Sequence, residues 1–189
     1  MDKRNAPVVS VIIPTFNSAS YIQNVFECLQ TQSFRKFEVI FVDDGSIDST
    51  IDLINEFILT IDVPVTIERQ KHLGVSEARN MGIKLSSGEF ITFMDADDIM
   101  QTSHLKTLSD LCVQNGADFA LSLFSREGGV TENPDTKGTW RIVSERETER
   151  IICGRNSVMG FVWNKMYVRS IIINNKLCFD KCLNNMEDL

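Results

Sequence analysis

Short β-branched apolar runs alternate with amphipathic stretches along the first two thirds of the chain, and that alternation constrains the fold most. Val8-Val9-Ser10-Val11-Ile12-Ile13, stopped by Pro14, reads as a strand. Tyr21, Ile22, Val25, Phe26 and Leu29 recur at helical spacing behind a cap at Ser18 or Ser20. Glu38–Val42 is a second strand running into Asp43-Asp44-Gly45-Ser46; Ser46 or Asp48 then caps a helix carrying Ile51, Leu53, Ile54, Phe57 and Ile58. Val65–Glu68 reads as a third strand, Val75–Leu85 as a helix and Glu89–Met94 as a strand. A helix over Ser103–Asn115 and a strand over Phe119–Leu123 follow. Strands that are apolar almost throughout are buried on both faces. The pattern therefore predicts an α/β chain with a mostly parallel central sheet flanked by helices in three layers. Ligands of such sheets gather at the carboxyl ends of the strands.

Two acidic clusters lie at those predicted ends. Asp43-Asp44 closes the second strand, and Asp95-Ala96-Asp97-Asp98 follows the strand before it. Carboxylates crowded where a strand leaves a sheet are costly unless a cation, a basic side chain or a polar ligand sits among them. Mg2+ and Mn2+ prefer oxygen ligands and are often held by one or two carboxylates, with substrate phosphates completing the shell. Asp-x-Asp in this position points to a metal–diphosphate site. The alternative is a solvated turn in which Asp98 caps the next helix.

Composition narrows the partners. The 189 residues fit one domain with a substantial core. A net charge of −7 argues against nucleic acid, which needs a concentrated basic face. No apolar run is long enough to span a bilayer, and the N-terminus leads straight into a strand, so no secretory signal is expected. The five cysteines, Cys28, Cys112, Cys153, Cys178 and Cys182, show no zinc spacing and read as reduced thiols in a cytoplasmic protein. Residues 126–138 read as a loop, 138–143 as a short strand and 144–152 as a charged helix.

Taken together, several segments resemble the family 2 glycosyltransferases, inverting enzymes of the GT-A (Rossmann-like) fold. They are Val9–Asn17, Phe37–Ser46, Gly74–Ile83, Gly88–Asp98 and Trp163–Tyr167, in that order. The resemblance implies one catalytic domain over 1–189, with a nucleotide-binding part at about 8–100 and an acceptor-side part at about 101–189. It further implies a nucleotide-sugar donor, expected to be a UDP-sugar, and transfer to a hydroxyl of a carbohydrate or lipid-linked acceptor in surface polysaccharide synthesis.

Site residues follow from the same resemblance. Pro14, Thr15, Phe16 and Asn17 would border the nucleotide, with Phe16 either stacking near the base or plugging the core. Asp44 would accept from a uracil imide, while Asp43 either joins it or closes the turn. Arg79 would reach the nucleotide or its diphosphate, or pair with Asp95 or Asp43. Asp97 would ligate Mn2+ or Mg2+, and Asp95 and Ala96 would meet the ribose or the metal shell. Asp188 would be the base that deprotonates the acceptor. His72 lies near the same rim and is left outside the site. Related enzymes continue past the position of Asp188 with helices that hold this segment and meet the acceptor or the membrane. The chain is therefore expected to be C-terminally truncated, with Asp188 poorly ordered and 161–165 well packed. The longer protein is expected to sit peripherally at the inner face of the membrane.

Three other functions compete. A nucleotidyltransferase or a dinucleotide-dependent oxidoreductase would carry a Gly-rich loop after the first strand, where Pro14-Thr15-Phe16-Asn17 stands. A nucleotide-sugar-binding module without turnover would share every donor-side feature.

Overall fold

The computed structural model describes residues 6–122, 142–144, 146–148 and 161–182. In chain order the elements are β1 (Val9–Thr15), α1 (Ile22–Gln30), β2 (Phe37–Asp43), α2 (Thr50–Ile58), β3 (Val65–Arg69) and α3 (Val75–Leu85). Then come β4 (Phe90–Phe93), α4 (His104–Asn115), β5 (Phe119–Leu121), β6 (Lys165–Val168) and α5 (Arg169–Asn174). The strands form one sheet of six in the order β3-β2-β1-β4-β6-β5. The pairs β1–β2, β1–β4 and β2–β3 are parallel, whereas β6 runs antiparallel to both β4 and β5.

Alternation along the strands sorts the core into two layers. Val9, Val11 and Ile13 of β1 pack with Val39 and Phe41 of β2 against residues of α1, α2 and α4. Ile12, Ile40 and Val42 point the other way, towards Ala78 and Ile83 of α3 and Ile172 of α5. Phe26 and Phe57 stack at 4.2 Å and lock α1 to α2, with the Phe41 ring edge-on to both. On the opposite face α3 lies very close to the sheet. A methyl added at Gly82 would fall 2.3 Å from Ile12 Cγ2, so only glycine admits that approach.

Several sequence expectations need correction. Neither Ser18 nor Ser20 caps α1; Tyr21 precedes it without a side-chain cap, and the Ser18 carbonyl accepts from Tyr21 and Ile22. At α2 the Asp48 carboxylate accepts from Thr50 N–H at 3.1 Å. Asp98 does not cap the next helix, which starts six residues on at His104. Ile142 and Val143 belong to no strand, while residues 146–148 are helical behind Ser144, whose Oγ accepts from Glu147 N–H. Strand β6 has no alternating pattern in the sequence. It forms because Asn164 ties into β5 through Ser122, and because the buried Lys165 ammonium donates to the Phe161 carbonyl and to Asn164 Oδ1.

His104, at the start of α4, carries an acid-sensitive element. Its Nε2 is sealed from solvent without a hydrogen-bond partner among the described residues, and burial pulls the ring's pKa down to about 4. A histidine held neutral in the fold but protonated near pH 6.5 when unfolded makes the unfolded state the better proton binder between those values. Stability is therefore expected to fall by on the order of 2–3 kcal/mol from pH 7 to pH 4 on this account. Denaturant titrations of wild type and His104→Gln at both pH values should show a smaller acid loss in the variant.

Candidate functional site

The strand order reverses at β1. From it the chain steps to β2 and β3 on one side and to β4 on the other. The carboxyl ends of β1 and β4 therefore diverge into a crevice, the usual ligand position in an open α/β sheet. An open cleft of about 500 Å³ occupies it. Pro14, Thr15 and Phe16 line it from β1, Asp44 from β2, and Asp95, Ala96 and Asp97 from β4. Tyr21, Val75 and Ala78 also line it; the sequence shows Tyr21 only as part of a helix face and Val75 and Ala78 only as members of the Gly74–Ile83 segment.

Phe16 is 43% exposed and stacks on the His72 ring at 4.3 Å, so it belongs to the cleft wall and not to the core. Asn17 stands behind the wall. With φ of 48°, in the left-handed region that asparagine tolerates, it donates from its N–H to Ser46 Oγ. Its Oδ1 accepts from Ile47 N–H, which joins the turns after β1 and β2.

The neighbouring aspartates do different work. Asp43 is fully buried. Its carboxylate accepts from Ser46 N–H at 3.0 Å and from the Ser46 hydroxyl, and pairs with Arg69 at 3.2 Å. Those contacts close the turn, with Gly45 supplying the positive φ of 84°. Asp44 is 4% exposed and faces the cleft. Its Oδ1 accepts from Gln70 Nε2 and Leu73 N–H, both at 2.7 Å; its Oδ2 accepts from Gly74 N–H at 3.0 Å and meets His72 Nδ1 at 3.0 Å. The loop 70–74 is thus folded round one carboxylate. His72 is exposed and stands behind the lining, stacked on Phe16 and in contact with Asp44.

On the β4 side Asp95 is partly exposed and Arg79 is buried, with Nη2 3.0 Å from Asp95 Oδ1. Arg79 does not line the cleft; it braces the carboxylate that does. Asp97 is exposed. Burial, and then the charges of Asp95 and Asp97, push the Asp98 carboxyl up to about 6, and its Oδ2 is sealed without a partner among the described residues. Negative charge in excess of its neutralisation is what a divalent cation would relieve. No group of three or more His, Cys, Asp or Glu suited to a metal occurs among the described residues. On the β4 side the cleft carries the two carboxylates Asp95 and Asp97, a pair that would suit a cation completed by phosphate oxygens better than a closed protein cage. Asp188 lies outside the described residues.

Residues 10–174 match the family described as Glycosyl transferase family 2. The chain belongs to that family. Among its relatives it is 30% identical to EpsH of Bacillus subtilis (strain 168) over 181 residues, covering 92% of this chain and 50% of EpsH. It is 27% identical to the poly(ribitol-phosphate) beta-N-acetylglucosaminyltransferase TarS of Staphylococcus aureus (strain Mu50 / ATCC 700699), covering 95% of this chain and 30% of TarS. The family 2 chain thus spans half or less of these two relatives. A crystal structure of S. aureus TarS 1-349 in complex with UDP-GlcNAc superposes with a TM-score of 0.73 at 26% identity, covering 95% of this chain and 50% of that one. The mannosyltransferase PcManGT from Pyrobaculum calidifontis, in complex with GDP-Man and Mn2+, gives 0.71 at 17% identity over 97% of this chain and 50% of its own, a likeness of fold alone. Both place the sheet among GT-A glycosyltransferases. No helix among the described residues is long and apolar enough to cross a membrane.

Proposed function

We propose that this chain is a glycosyltransferase catalytic domain. Its cleft would bind a UDP-sugar with a divalent cation and pass the sugar, with inversion, to a hydroxyl of a carbohydrate or lipid-linked acceptor. The observation that carries the reading is the meeting of Phe16, Asp44, Asp95 and Asp97 in one cleft at the switch point of the sheet. TarS, whose complex with UDP-GlcNAc shares the fold, supports a UDP-sugar as the donor.

In this reading Phe16 gives the base an apolar face and Asp44 takes its imide N–H. Four donors already surround Asp44, and His72 is the one on an exposed side chain, so the base would take the place of His72. Asp97 and the free oxygen of Asp95 would hold Mn2+ or Mg2+. A cation bound there supplies Lewis-acid stabilisation of the departing diphosphate, worth about several kcal/mol in the transition state. Arg79 keeps Asp95 oriented and offsets part of its charge. Inversion requires attack from the face opposite the nucleotide. Asp188 would take the proton of the acceptor hydroxyl as its oxygen bonds to the anomeric carbon and the diphosphate leaves with the electron pair. The nucleotide part lies at about 8–100 and the acceptor part beyond it. A carbohydrate product of surface polysaccharide synthesis, made at the inner face of the membrane, fits this chemistry.

Calorimetry with UDP, GDP and dTDP in Mn2+ tests the donor side. UDP is expected to bind at least about tenfold tighter than GDP, a difference of about 1.4 kcal/mol. A preference for GDP or dTDP would overturn the uracil assignment.

A further inference from the structure

The chain leaves α5, turns at Lys176 with φ of 54°, and comes back across α3. Of the residues from Ile173 to Cys182, only Phe179 is not exposed. Its backbone is held at two points by one side chain. Asn80 Nδ2 donates to the Phe179 carbonyl at 2.9 Å, and Phe179 N–H donates to Asn80 Oδ1 at 2.9 Å. An amide paired in both directions copies a strand pairing and fixes register, which a lone apolar contact would not. Ser76 adds a weaker bond from its hydroxyl to the Asp180 carbonyl at 3.4 Å.

The ring of Phe179 is aimed by that clasp. The Arg79 guanidinium carbon lies 5.4 Å from its centroid, within cation–π range, while the Phe179 and Phe93 rings meet edge to face with centroids 5.2 Å apart. Arg79 is therefore held between Phe179 on one side and Asp95 on the other, the carboxylate that faces the cleft. A buried guanidinium confined in this way has little freedom to leave Asp95. Asp95 in turn keeps one oxygen engaged and presents the other.

We propose that Asn80 and Phe179 are positioning residues of the donor site, acting through Arg79 on Asp95, so that diphosphate binding and the docking of residues 177–182 are coupled. The inference rests on the reading that Asp95 faces the cation and diphosphate of the donor. Coupling is reciprocal: what holds the segment strengthens the ligand, and the ligand holds the segment.

Calorimetry on this chain with UDP in Mn2+, and with uridine as the metal-free control, tests the coupling. Phe179→Leu keeps an apolar side chain and removes the π face, Asn80→Ala removes the clasp, and Phe179→Tyr keeps the ring. The first two are expected to weaken UDP by about tenfold, within the usual range of coupling between sites, and to leave uridine within about twofold. Phe179→Tyr should match wild type. Loss of UDP and uridine together would reduce the clasp to fold support and overturn the proposal. So would wild-type UDP affinity in Phe179→Leu alongside weak binding by Asp95→Asn. If Asp95→Asn itself binds UDP normally, the donor-site reading falls, and the coupling falls with it. Hydrogen exchange on the wild-type chain needs no variant to fold: the Phe179 amide should exchange more slowly once Mn2+ and UDP are added, and an unchanged rate sinks the idea.

Discussion

Asp97→Ala is expected to remove the Mn2+-supported part of UDP binding, a loss of at least about a hundredfold or roughly 2.7 kcal/mol, while the protein stays folded. The two halves of that expectation have separate causes. Asp97 is exposed at the end of β4 and contributes little packing, so its truncation falls in the class of surface changes within about 0.5 kcal/mol. It is also one of two like charges that, after burial, push up the Asp98 carboxyl. Removing it relieves repulsion in the free protein, so the melting temperature should hold or rise slightly. Binding responds in the opposite direction. A cation held by two carboxylates and the diphosphate loses a ligand that water replaces without its charge. UDP titrations with Mn2+ and with EDTA, on wild type and variant, supply the check. Equal affinities in all four conditions would mean that the carboxylates serve no cation.

In the parallel half of the sheet β1, β2 and β4 were legible because they carry near-continuous apolar runs, whereas β3 reads Val-Thr-Ile-Glu-Arg and is only partly buried. Those runs also put Asp44 and Asp95–Asp97 at strand ends. What was not legible depends on contacts distant in the sequence. Strand β6 is short and opens on a buried lysine directly after a buried asparagine, so its pairing is set by β4 and β5 and not by its own pattern. His72 and Phe179 offer no signal to a reader of residues alone. A loop histidine meets Phe16 and Asp44 only because the 70–74 loop wraps Asp44, and an isolated phenylalanine meets Arg79 only because Asn80 pairs with its backbone. The division of labour between Asp43 and Asp44 was open in the sequence for a related reason. Strand β2 ends at Asp43, so the roles of the two carboxylates are set by the turn and loop beyond it, where Ser46 and Arg69 take Asp43 and the 70–74 loop takes Asp44.

Asp188→Asn is expected to lower transfer by about a hundred- to ten-thousand-fold, the usual contribution of a general base, while UDP affinity changes little. The assignment comes from the resemblance, since Asp188 lies outside the described residues. The amide keeps the shape of the carboxylate and loses its basicity. An interaction made only as the acceptor proton moves is then lost without one made to the bound donor, so kcat and kcat/KM should fall together with KM for the donor unchanged. Transfer and donor hydrolysis, measured side by side on Asp188→Asn and Glu187→Gln, separate the candidates. Near wild-type transfer by Asp188→Asn with a deep loss in Glu187→Gln would move the base by one residue. A deep loss of UDP binding in Asp188→Asn would instead place that carboxylate at the donor.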